Sequence, residues 1–165
     1  MSYRIYGGAL LFEHLKDAAQ VKGFVKNESG DPPYRPAFPT DVALAQRFAD
    51  DMAKGITARF TCRTLGRDHP EPGGRAVNEP LVHDNDEATG IVVEAVSRSP
   101  HWKEMAVFIV QDDPGNYIDH VSTHRVPCLV VSPYAKRGHI DQRHYSFPSI
   151  LRTVEMILGL EPLSR

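Results

Sequence analysis

Cysteine is scarce in this chain. There are two in 165 residues, Cys62 and Cys128, each inside an apolar run. Two thiols that far apart make neither a disulfide framework nor a paired-cysteine zinc motif. Buried free thiols are the first reading of both, and a bridge between neighbouring strands is the second. Long apolar runs are lacking too, and none approaches the roughly 20 residues a helix needs to cross a bilayer. The amino-terminal MSYRIYGGALLFEHLKDAAQ has no basic flank, apolar core and small-residue cleavage site in succession, so it is not expected to be a signal peptide. No long basic run occurs and the formal net charge is -2, which argues against nucleic acid as the partner. Repeats, low-complexity tracts and linkers are missing as well. One domain across residues 1–165 is therefore expected, long enough to bury a core.

What is present is an alternation of short apolar runs and amphipathic stretches. Tyr3–Tyr6 reads as a strand closed by Gly7-Gly8, and Leu11, Leu15 and Ala18 follow at helical spacing. Lys22–Pro39 is loop, since its glycines and prolines leave no room for regular structure. Thr40 or Asp41 then caps a helix with Val42, Ala45, Phe48 and Met52 on one face and Gly55 as its stop. Ala58–Leu65 reads as a strand, Gly66–Leu81 as loop, and the stretch from about Asp86 to Ser97 as a helix with an apolar stripe. Ala106–Val110 and Cys128–Ser132 are short and rich in β-branched residues, as strands buried on both faces are. Pro133–Tyr145 is polar and loop-like. The last helix opens near Ser146 with Pro148 in its first turn, buries Phe147, Ile150, Leu151, Val154, Ile157 and Leu158, and ends at Gly159. Strands alternating with helices predict an α/β fold with a mostly parallel sheet flanked by helices.

The polar insert between the two apolar runs carries the candidate chemistry. It holds Asp112, Asp113, Asp119, His120 and His124 within thirteen residues, directly after a predicted strand. Carboxylates and imidazoles crowded at the carboxyl end of a strand suit a hydrolytic metal site. The plainer reading of Asp112-Asp113-Pro114-Gly115-Asn116 is a tight turn, because every residue in it is a turn former. A second cluster, Asp68-His69, follows the Ala58–Leu65 run. Asp84-Asn85-Asp86 opens a predicted helix, where capping explains the acids. His14, His101, His139 and His144 read as surface or packing residues, and His83 as a possible support for a ligand.

Three separated stretches occur in order: DNDEATGIVVEAVSRSPHWKEMAVFIVQDD, DHVSTHRVPCLVVSPYAKRG and SILRTVEMILGLEPL. Together they resemble the C-terminal half of bacterial phosphoesterases of the alkaline phosphatase superfamily. The likeness is to the branch associated with β-propeller domains and related to the phospholipase C and acid phosphatase group. It is weak over Ser2–Gly7 and strong from Asp84 to Leu163. The resemblance implies an alkaline phosphatase-like fold and a divalent metal ion, Zn²⁺, Mn²⁺, Mg²⁺ or Ca²⁺, with a phosphate ester as substrate. It places Asp112 and Asp113 as paired metal ligands, and His120 or His124 as the last histidine ligand, with His120 preferred. Asp68 and His69 fall where relatives carry Asn-Asp-His-Thr, although here Arg67 precedes the pair and Pro70 follows it. Relatives also have, further upstream, a first strand ending in an Asp ligand and a Ser or Thr nucleophile, and no stretch here matches either. The resemblance therefore implies an N-terminally truncated domain with weak or no turnover. The alternatives are a non-catalytic α/β binding or assembly domain, and half of a split enzyme completed by a partner chain; truncation also implies self-association or a partner chain covering the exposed apolar face.

Overall fold

In the computed structural model two of the three described helices are bounded where the sequence marks their ends. The structure describes residues 3–6, 40–66, 68, 79–112 and 125–163. The first helix, α1, spans Asp41–Ala53, and the Thr40 hydroxyl accepts a hydrogen bond from the Ala43 N–H at 2.9 Å. At its far end the Gly55 N–H donates to the Met52 carbonyl and the Ile56 N–H to that of Asp51. That pair of bonds requires the left-handed conformation Gly55 adopts, with φ 71°. The predicted helix from Leu11 lies outside the described residues.

The described residues form two compact units, Met1–Pro100 and His101–Arg165. In the first, strand β1 (Tyr3–Tyr6) pairs in parallel with β2 (Phe60–Arg63), in the register Tyr3 with Phe60 through Tyr6 with Arg63. A parallel pair needs a crossover, and α1 lies between the two strands in the chain. Helix α2 spans Glu79–Ser97 and packs along α1. Leu44, Ala45 and Phe48 of α1 and Ala88 and Val96 of α2 are buried. Ala45 and Ala88 are both 0% exposed.

In the second unit a 3-10 turn, Trp102–Glu104, leads into β3 (Val107–Val110), which pairs antiparallel with β4 (Cys128–Val131). Two side-chain bonds tie the chain after β4 to the chain before β3. The Ser132 hydroxyl donates to the Met105 carbonyl at 3.0 Å, and the Tyr134 hydroxyl to that of Lys103 at 2.9 Å. Helix α3 spans Phe147–Leu158, opened by a capping box between Ser146 and Ser149 and closed at Gly159, φ 68°.

Four expectations are corrected. The three apolar runs predicted in one mostly parallel sheet lie in two ladders, one parallel and one antiparallel. The direction rule applies to strands joined by a helix, and the β3–β4 insert has no helical stripe. Helix α2 begins at Glu79, not near Asp86, and packs on α1 rather than on a sheet. The apolar side of α3 is largely open: Phe147, Leu151 and Ile157 are exposed, and Glu155 is the helix's buried residue, accepting from the Leu163 N–H and Arg152. Strand β4 is likewise open, with Leu129 58% exposed. An apolar pattern says which side avoids water, not which element covers it.

Both cysteines are free thiols, Cys62 half-buried and Cys128 exposed rather than buried as expected. Burial pushes both thiols above their ordinary pKa. Cys128 is expected to alkylate before Cys62, with both rates rising through the alkaline range because only the thiolate reacts. Timed iodoacetamide labelling read by mass spectrometry checks the order. Equal rates would mean that Cys62 is as accessible as Cys128.

Candidate functional site

Strand β3 delivers the chain to Gln111 and Asp112, both exposed at its carboxyl end. Asp113, His120 and His124 lie outside the described residues, as does His69. Asp68 is described: it stands half-buried in the turn after β2, and its Oδ1 accepts from the Asn85 amide at 3.5 Å. Asp112 and Asp68 belong to different units. Among the described residues no group of three or more His, Cys, Asp or Glu side chains is placed to hold a metal ion.

The first unit contains a polar node that sequence reasoning does not anticipate. Asp41, in the first turn of α1, is only 2% exposed. Its carboxylate accepts from the Gly66 N–H at 3.2 Å and the Asn85 amide at 3.4 Å. The Asp84 carboxylate in turn accepts from the backbone N–H groups of Asp41 at 2.7 Å and Val42 at 3.4 Å. Because α2 starts at Glu79, with Pro80 in its first turn, Asp84 does not cap its own helix. It caps α1, where a carboxylate satisfies orphan donors and meets the positive end of the helix dipole. A local signal for this exists only in part: Asp84-Asn85-Asp86 reads as a helix opening, and it serves one, on the neighbouring helix.

The remaining candidates stand in solvent. His101, His139 and His144 are exposed, as expected of surface residues. His83 is exposed on α2 and lies 4.0 Å from Glu87, one turn on, so it supports no described ligand. Lys136 and Arg137 are an exposed basic pair. In the loop before α3, Arg143 bonds the Asp141 carboxylate through two nitrogens, and the Tyr145 hydroxyl donates to it at 3.0 Å. The hydrogen bond from Arg143 holds the Asp141 carboxyl well below the usual carboxylate range, and the bond to Asp141 raises the Tyr145 phenol. All three lie in water, so this arrangement shapes the loop and adds little stability.

Residues 76–161 match the phosphoesterase family, and that span is more than half of the 165-residue chain. The chain belongs to the phosphoesterase family. No curated protein and no solved structure gives a match. The phosphoesterase span takes in α2, β3, the acidic insert, β4 and α3. It contains Asn85, Asp112, Asp113, His120 and His124, whereas Asp68 and His69 precede it. No helix among the described residues of this phosphoesterase is long and apolar enough to cross a membrane.

Proposed function

We propose that this phosphoesterase domain acts on phosphate esters with a divalent metal ion, held by Asp112, Asp113 and His120, with Asp68, His69 and His124 as further candidates. The observation that carries the reading is the family match over residues 76–161, a span that includes β3 and, one residue beyond it in the sequence, the paired acids Asp112-Asp113. The donor set fits such an ion: carboxylate oxygens and imidazole nitrogens suit Zn²⁺ or Mn²⁺, and an all-oxygen subset suits Mg²⁺ or Ca²⁺. Asp112 is exposed just beyond the carboxyl end of β3, which supports this reading. When bound, the ion supplies charge stabilisation for the phosphoryl oxygens. The chain's own acids hold and orient; no Ser or Thr in these residues is assigned as a nucleophile, so turnover is expected to be slow. An alkaline phosphatase-like fold belongs to the same reading, and the parallel β1–β2 pair with α1 between its strands supports it.

The test uses the purified chain with Mn²⁺ or Zn²⁺ in a calorimeter, and p-nitrophenyl phosphate as substrate. Metal binding that is lost in Asp112→Ala/Asp113→Ala, with little turnover, is the expected result. Equal binding by both chains would remove the two acids from the site. Robust turnover abolished by the double change would show that these residues form a complete enzyme. One observation favours a second reading, in which a partner chain or a second copy completes the domain: Leu129, Val130, Phe147, Leu151 and Ile157 are exposed. Sedimentation velocity on the same preparation separates a monomer from that assembly.

A further inference from the structure

Residues 134–145, between β4 and α3, set exposed apolar side chains among cations. Ile140 is 83% exposed and Tyr134 79%, and Tyr145 is open as well. Lys136 and Arg137 stand exposed between Tyr134 and Ile140, and among the described residues neither has a charged partner. Asp141 is the single acid of the stretch, and Arg143 already neutralises it. Lys103 is exposed beneath Tyr134, but Glu104 follows it and offsets its charge. The loop is therefore cationic, in a chain whose formal net charge is -2.

Its polar groups shape it so that the apolar ones stay in water. The Tyr134 hydroxyl is tied to the Lys103 carbonyl, and Gly138 turns the chain with φ 59°. The Asp141 carboxylate accepts from the Arg143 backbone N–H at 3.1 Å, from its guanidinium, and from the Tyr145 hydroxyl at 3.0 Å. That guanidinium also lies over the Tyr145 ring, 5.6 Å from its centroid. A single exposed apolar residue needs no partner. Here tyrosines, an aliphatic tip and unpaired cations alternate instead of gathering into an apolar groove. A protein interface has an apolar core depleted of charge, with its polar groups at the rim. A bilayer surface instead takes tyrosine rings at headgroup level and cations against anionic headgroups. We propose that residues 134–145 are a docking loop for an anionic membrane surface, with Ile140 inserting, Tyr134 and Tyr145 at headgroup level, and Lys136 and Arg137 against the lipid charge. Charge complementarity selects this occupant: a basic loop on a net acidic chain turns that loop toward a negative surface. The inference is independent of the metal reading, because the loop contains none of the proposed ligands.

The test is co-sedimentation of the full chain with lipid vesicles in EDTA, so that no divalent ion bridges protein and lipid. The expected result is binding to mixed phosphatidylcholine–phosphatidylserine vesicles that falls as salt is raised, with little binding to phosphatidylcholine alone. Lys136→Ala/Arg137→Ala should weaken it about 30-fold, roughly fivefold for each cation. Ile140→Ser should weaken it about tenfold, through loss of the inserted side chain. These side chains are exposed, so the variants are expected to fold as the wild type does. Lys54→Ala/Arg98→Ala removes two exposed cations from the first unit and should bind within about twofold of wild type. Absence of binding to the mixed vesicles, or an equal loss in that control, overturns the inference. So does binding that inorganic phosphate displaces at constant ionic strength, which would assign the basic pair to a free anion. Self-association in sedimentation velocity that Ile140→Ser abolishes would make the loop an interface between copies, and overturns it too. A chain that binds these vesicles and no metal keeps this inference and loses the metal reading.

Discussion

Phe48→Ala is expected to lower the unfolding free energy by about 4 kcal/mol, the range for a buried Phe truncated in a core. Phe48 is 7% exposed on the face of α1 that also buries Leu44 and Ala45, where the helix meets α2. Its ring does a second job. The Arg63 guanidinium lies 5.1 Å from the ring centroid, so the last residue of β2 is held to α1 through the aromatic face. Truncation therefore opens a cavity between two helices and strips a buried cation of its aromatic neighbour. Phe48→Leu keeps most of the volume and is expected to cost about 1.5 kcal/mol, which separates the packing loss from that of the ring. Urea unfolding checks both, with the midpoint shifted and the slope unchanged. A midpoint that barely moves in Phe48→Ala would show that the α1–α2 contact does not limit stability.

Asp41→Ala is expected to cost about 3 kcal/mol, the upper end for hydrogen bonds to a charged group. The buried carboxylate accepts from Gly66 N–H and from the Asn85 amide, and it stands in the first turn of a helix, where negative charge is favoured. Removing it leaves those donors to find other partners beside Leu44 and Ala45, whereas Asp41→Asn keeps an acceptor and should cost about half as much. The measurement is again urea unfolding of the two variants. A larger loss in Asp41→Asn than in Asp41→Ala would mean that the donors re-pair freely once the side chain is gone.

Much of the architecture is legible in local chemistry. Thr40 and Gly55 bound α1, and Ser146, Pro148 and Gly159 bound α3, because caps and left-handed closures depend on residues within one turn. Strands β2, β3 and β4 fall inside the predicted apolar runs for the same reason: a short β-branched stretch has few alternatives. The start of α2 is not legible, since Pro80 reads as loop although proline is tolerated in a first helical turn. The buried face of α1 is read correctly at Ala45 and Phe48, whereas Val42 and Met52 are only half-buried and Asp41, Leu44 and Asp51 are buried beside them. Burial of an acid depends on donors that arrive from elsewhere. Gly66 is 25 residues and Asn85 is 44 residues along the chain from Asp41, and no periodicity shows such partners. At the candidate site the residue types and their order point to the family, whereas Asn85 looks like an ordinary helical polar residue until Leu65 and Asp68 are brought to it.

The cap on α1 is borrowed from another helix, and this changes how the unit opens. The amide protons of Asp41 and Val42 are engaged by the Asp84 carboxylate, so they are shielded only while α2 stands beside α1. A helix end normally frays and exchanges its first amides with solvent almost freely. Here those two protons are expected to exchange mainly when the two helices part, which amide exchange read by NMR checks. The beginning of α1 thus behaves as the interior of a single cooperative unit rather than as its edge.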